Sequence, residues 1–202
     1  MNPNSPMLPI HVRRFAAPPV HILIPVVAGG TSPLARNEMN RAIIDAVKTQ
    51  MKHQGYPSPD IREMIGTFEI KTNERGVLSL LLINYAFTGG AHGMTLQQSL
   101  TFDADTGKAY ALGELFKQGS PWEKRLNAII QAQIAARQLP LLAEYPGISP
   151  NQDYYIADKA LVIYFQLYAI VPYAWGFPYF PISVYDIQDI LDENGPLGVM
   201  LG

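Results

Sequence analysis

Cysteine is absent from the 202 residues, which removes disulfides, thiolate metal ligands and a cysteine nucleophile together. Charge is sparse, at 16% of residues with a formal net charge of −2, and the densest cationic spot is Arg13-Arg14. Nucleic-acid binding calls for a clustered excess of Lys and Arg, so no nucleic-acid partner is expected. No apolar run reaches the roughly 18 residues that would span a bilayer, so no membrane segment is read. The amino terminus, MNPNSPMLPIHVRRF, lacks a basic start followed by an apolar core and does not read as a signal peptide. Localisation stays open. Also missing are a Gly-x-Ser-x-Gly elbow, a His-Glu-x-x-His helix, a glycine-rich phosphate loop and an EF-hand. No cofactor is expected.

What is present is a globular composition, 48% hydrophobic, in a chain long enough for one substantial domain or two small halves sharing a core. Residues 1–19 are polar and proline-rich and are expected to form an extended lead. Residues 20–60 read as a strand–helix companion segment. VHILIPVVAGG (20–30) is β-branched and apolar and stops at a glycine pair. Ser32 then serves as N-cap and Pro33 sits in the first turn, where its missing N–H costs nothing. Met39, Ile43, Val47 and Met51 recur at i+4, predicting a helix of about 20 residues that ends at Gly55 and Pro57.

From Ile61 the hydrophobic period changes to two. Phe68, Ile70 and Thr72 alternate with Thr67, Glu69 and Lys71, and Asn73-Glu74-Arg75-Gly76 makes a turn. VLSLLLINYAF is apolar on both faces, as a central strand should be. Alternation resumes from Met94 to Phe102 and ends in the turn DADTGK, completing an antiparallel meander. Ser120-Pro121-Trp122-Glu123 reads as a capping box for a second helix with Trp122, Leu126, Ile129, Ile130 and Ile134 on its buried stripe. A hairpin at Asp158-Lys159 with a long buried second strand follows, then a short helix from Val184 to about Asp192. The fold class is therefore α+β, an antiparallel sheet with two main helices and a short C-terminal one. Residues 61–202 are taken as the main domain, sharing one core with the segment before it.

Two stretches invite a functional reading. Thr88-Gly89-Gly90-Ala91-His92-Gly93 joins two strands. Its plain reading is a wide hairpin loop whose three glycines supply positive φ while His92 packs or caps; its functional reading is a ligand contact through Thr88, Gly89, Gly90 and His92. Asp103 lies about nine strand residues away, roughly 30 Å at ~3.3 Å per residue, and cannot orient His92. His11, His21 and His53 show no metal-ligand spacing with His92, so neither a catalytic residue nor a metal site is assigned. The second stretch is VPYAWGFPYFP (171–181). About half of the chain's 11 Tyr, 8 Phe and 2 Trp fall between residues 154 and 185. Three prolines and a glycine interrupt this segment, so it cannot be a simple central strand. It is either a flap over the core or a preorganised aromatic surface in which Pro172, Tyr173, Trp175, Phe177 and Tyr179 meet a protein or a sugar.

YAFTGGAHG, TFDADTGKAYALGELFKQGS and YYIADKALVIYFQLYAIVPYAWGFPYFPI together resemble the extracellular C-terminal domain of the anti-sigma-V factor (RsiV), a domain type that also precedes the catalytic domain of some bacterial peptidoglycan deacetylases. VHILIPVVAGG and the Met39–Met51 helix look like the smaller companion domain that commonly precedes it. The resemblance spans roughly residues 20–192. It implies an α+β fold and a non-enzymatic module that senses lysozyme by binding it, with family members often extracytoplasmic and many of them without assigned function. Neither the sigma-binding segment and membrane helix of the anti-sigma pattern nor a deacetylase domain is read in these residues, so only the module itself is expected here. The expected partner is a lysozyme-like protein or, alternatively, a peptidoglycan fragment; a third reading is an intracellular protein of the same type.

Overall fold

The computed structural model describes residues 1–30, 32–149 and 151–202. The chain packs as two compact units, one of residues 2–109 and one of residues 110–202 together with Met1. The expected boundary residue, Ile61, lies inside the first of them.

The first unit is a five-stranded sheet in the order β1-β2-β3-β4-β5, built from Ile10–Ala17, Val20–Val27, Glu63–Glu74, Val77–Phe87 and Met94–Asp103. Helix α1 spans Pro33–His53. It starts where the sequence places it: Ser32 Oγ accepts from the Ala35 amide at 3.1 Å, and proline occupies the first turn. The i+4 stripe of Met39, Ile43, Val47 and Met51 is buried and packs over the alternate apolar residues of the sheet, with Val20, Ile22, Met64, Leu78, Leu80 and Leu82 in the same core. Because α1 carries the chain back across the sheet between β2 and β3, those two strands run parallel, whereas every other pair in the sheet is antiparallel.

Two details depart from the period-two reading. The supposed lead contains a strand: β1 folds back on β2 through Pro18-Pro19, joined by a cis peptide bond. Its alternation is masked because an edge strand leaves most of its side chains wet. In β3 a bulge between Ile70 and Thr72 inserts Lys71 and rotates the strand, so Ile70 is exposed while Thr72 is buried. The following two-residue turn places Arg75 and Gly76 at φ 52° and 75°, the geometry that matches the twist of a tight hairpin.

The second unit holds a three-stranded antiparallel sheet, β6 (Tyr154–Ala157), β7 (Ala160–Tyr164) and β8 (Tyr179–Ser183), with β7 in the centre. Helix α2 spans Trp122–Ala136 and buries Leu126, Ile130 and Ile134. It also covers the edge strand: Gln133 Nε2 donates to Pro181 O at 2.8 Å and Arg137 Nη1 donates to Tyr179 O at 2.7 Å. Three expectations need correction here. The helix N-cap is Pro121, not Ser120; the Ser120 amide closes a turn onto Lys117 O, and its hydroxyl is buried without a partner among the described residues. The strand β7 stops at Tyr164, because Phe165 N donates to Pro178 O and Tyr168 sits at φ 64°. The C-terminal helix shrinks to a 3-10 turn at Val184–Asp186. The residues beyond it turn their backbone groups elsewhere, Ile190 O to Lys117 N and Asp192 N to Leu115 O, around a bridge between Phe116 and Leu191. The α+β class itself stands: the described residues form two α-helices, eight strands and mostly antiparallel sheets.

Candidate functional site

The two candidate stretches lie in different units. The 88–93 loop joins β4 to β5, whose last paired residues are Ala86 and Met94. Gly89 and Gly90 adopt φ 110° and 97°, a region closed to most side chains, as expected of a wide hairpin loop. Gly93 is needed for a different reason. Its φ is not positive, but a Cβ there would land on the Tyr85 ring and 2.6 Å from the Ala86 carbonyl oxygen. The exposed Arg62 guanidinium lies over Gly89. His92 is exposed, with Nδ1 2.8 Å from Gly93 O. Asp103 pairs with Val77 at the opposite end of the hairpin, where its Oδ1 accepts the amides of Asp105 and Thr106 at 2.8 and 3.0 Å, so it orients the DADTGK turn and not His92.

Sequence reasoning missed what anchors this loop. Gln54, the C-cap residue of α1, donates through Nε2 to Met94 O at 2.7 Å and accepts from Asn84 Nδ2 at 2.7 Å. A chain of amides thus ties the helix end to the first residue of β5. Beside it a cleft of about 380 Å³ is lined by His53, Gln54, Gly55, Thr88 and Met94. Thr88 and His53 therefore meet at one cleft, and His92 does not line it. No group of three or more His, Asp or Glu side chains suited to a metal ion occurs among the described residues.

The aromatic segment is built differently. Pro172 (φ −59°) leads into a 3-10 turn at Tyr173–Trp175, which closes when Gly176 takes φ 71° and donates its amide to Tyr173 O at 2.9 Å. Beyond it the chain enters β8. Tyr179 is half-buried, with ring centroids 5.9 Å from Tyr164, 6.2 Å from Tyr155 and 6.3 Å from Phe177. Tyr173 packs on Tyr168 at 5.4 Å, while Trp175 keeps 56% of its surface exposed at the turn. The segment thus divides: Tyr179 and Phe177 belong to a packed cluster, whereas the turn leaves Trp175 exposed, with Tyr173 half-buried against the exposed Tyr168.

Next to that cluster lies a carboxylate that no sequence motif marks. Asp153 Oδ2 accepts from Gln166 Nε2 at 2.8 Å, and Tyr164 also hydrogen-bonds it. Burial raises its pKa above the ordinary carboxylate value, while those two hydrogen bonds pull the other way. The hydroxyl of Tyr145, which donates to Asn127 Oδ1 at 2.9 Å, is pushed up to about 12 by burial.

Comparison with known proteins places both units. Residues 113–185 match the model of a family described as a protein of unknown function, DUF3298, and residues 20–95 match a model described as deacetylase PdaC. No curated protein matches the sequence. Among solved structures, a DUF3298 family protein from Pseudomonas aeruginosa PAO1 shares the fold with a TM-score of 0.68 at 17% identity, over 93% of this chain and 95% of that one. A DUF3298 family member from Bacteroides fragilis NCTC 9343 gives a TM-score of 0.68 at 13% identity, over 99% of both chains.

Proposed function

We propose that the chain is a non-enzymatic binding module whose ligand is a protein of the lysozyme-like muramidase type, held through Tyr168, Tyr173 and Trp175. One observation carries this reading: an exposed tryptophan on a turn whose backbone is already set by Pro172 and Gly176. Trp and Tyr supply large contact area with few rotatable bonds, so a ring presented this way loses little entropy when a partner covers it. The chain leaves the turn through Phe177 and Tyr179, which pack in one aromatic cluster with the buried Tyr155 and Tyr164. The segment lies within the stretch matched by DUF3298, and the resemblance to the anti-sigma-V sensor domain supplies the class of partner. The partly similar deacetylase model enters only as likeness of residues 20–95; among the described residues no acid–histidine cluster accompanies it.

The reading predicts a 1:1 complex with an interface of about 1,200–2,000 Å². Calorimetric titration of the purified chain with lysozyme should give sub-micromolar binding, and titration with peptidoglycan fragments should give none. Heat with the glycan alone would replace the protein ligand by sugar rings stacked on Trp175, Tyr173 and Tyr179. Heat with neither would remove both.

A further inference from the structure

The residues 2–109 unit carries a second cleft that the proposed function leaves unused. It opens where α1 stops short of covering the edge strand, between the helix and the β1–β2 hairpin, and has a volume of about 310 Å³. Its floor is apolar: Ile24 of β2, Phe15 of β1, and Ile44, Val47 and Met51 of α1, with Tyr56 closing one end edge-on to Phe15 at a centroid distance of 6.1 Å. Arg13, Lys48 and Lys52 also line it. The arrangement follows from two periods. On the helix, Ile44, Val47, Lys48, Met51 and Lys52 are spaced i, i+3, i+4, i+7 and i+8 and share one face; on the strand, Arg13 and Phe15 are two apart and point the same way.

Three cations and no carboxylate line this apolar cleft, and the side chains of Arg13, Lys48 and Lys52 have no ion-pair or hydrogen-bond partner among the described residues. A cleft that served only packing would gain nothing from concentrating like charges around it, since they repel one another. An apolar floor of about ligand-pocket size beneath an unneutralised cationic rim is complementary to a molecule that is greasy along its length and anionic at one end. The geometry points to a binding site for a single-chain amphiphilic anion, with an acyl chain on Phe15, Ile24, Ile44, Val47 and Met51 and its carboxylate at Arg13, Lys48 and Lys52. Methionine suits the floor, because its unbranched side chain adapts to chains of different length.

The test is titration of the full chain with sodium decanoate, decan-1-ol and inorganic phosphate, followed by amide chemical shifts. Decanoate should bind at least tenfold more tightly than the alcohol or phosphate, with shifts at Phe15 and Met51. The combined R13Q/K48Q/K52Q variant alters only exposed side chains, so it should fold normally and bind decanoate at least tenfold more weakly. Ile44→Asn, on the half-buried floor, should weaken decanoate and decanol alike. Equal binding of alcohol and carboxylate, equal binding of phosphate, an unaffected charge variant, or binding only to anionic vesicles and not to free decanoate would each overturn the assignment.

Discussion

The 88–93 loop and the 172–179 segment each present one exposed ring, His92 and Trp175, but they hold it by different means. The loop is held by its backbone. Gly89 and Gly90 supply left-handed conformations, Gly93 admits the Tyr85 ring and the Ala86 carbonyl, and amides from Gln54 and Asn84 fasten the neighbouring strand. The aromatic segment is held by side chains, with Tyr179 packed among Tyr155, Tyr164 and Phe177 while proline and glycine close the preceding turn. A backbone-held loop tolerates exchange of its exposed side chain and does not tolerate added bulk at its glycines. A side-chain-held platform should behave in the reverse way, losing stability at its buried rings and only binding at its exposed one.

Substitutions can break that contrast, and the largest effect should come from Gly93→Ala. The new methyl meets the Tyr85 ring and the Ala86 backbone carbonyl, and overpacking of this kind should cost about 3 kcal/mol in chemical denaturation. Tyr179→Ala should cost about 2–3 kcal/mol, since it removes a half-buried ring and three aromatic contacts. Gly90→Ala sharpens the comparison within one loop. Nothing stands within 4 Å of the added methyl, so only the strain of φ 97° remains, about 1 kcal/mol. If it proves as damaging as Gly93→Ala, the close approach at Gly93 is not what shapes the loop. His92→Asn should cost about 0.5–1 kcal/mol, the worth of one hydrogen bond near the surface, and leave ligand binding unchanged. Trp175→Ala should leave stability within about 0.5 kcal/mol.

The sequence made legible whatever is local. Ser32 and Pro33 start α1, the i+4 stripe faces the sheet, and Gly76 marks a two-residue turn, because caps, periodicity and turn chemistry act over a few residues. Features set by distant partners were not legible. The Ile10–Ala17 strand is an edge, so its side chains show little alternation, and its membership depends on pairing with Val20–Val27. Ser120 looks like a cap until the turn onto Lys117 directs its hydroxyl inward. Among the aromatics, composition marks the segment but cannot separate the packed Tyr179 from the open Trp175, because that division depends on the contacts of Tyr179 with Tyr155 and Tyr164. Asp153 and Gln54 carry no motif at all; only the fold brings Gln166 to one and Met94 to the other.

The most direct measurement is a calorimetric titration of lysozyme into the intact protein, Trp175→Ala and His92→Asn, each with its Tm recorded beforehand. Binding should be sub-micromolar for the intact protein and for His92→Asn, and at least tenfold weaker for Trp175→Ala at an unchanged Tm. Binding that survives Trp175→Ala, or that disappears in His92→Asn without a change in Tm, would contradict that expectation and move the contact surface to the glycine loop.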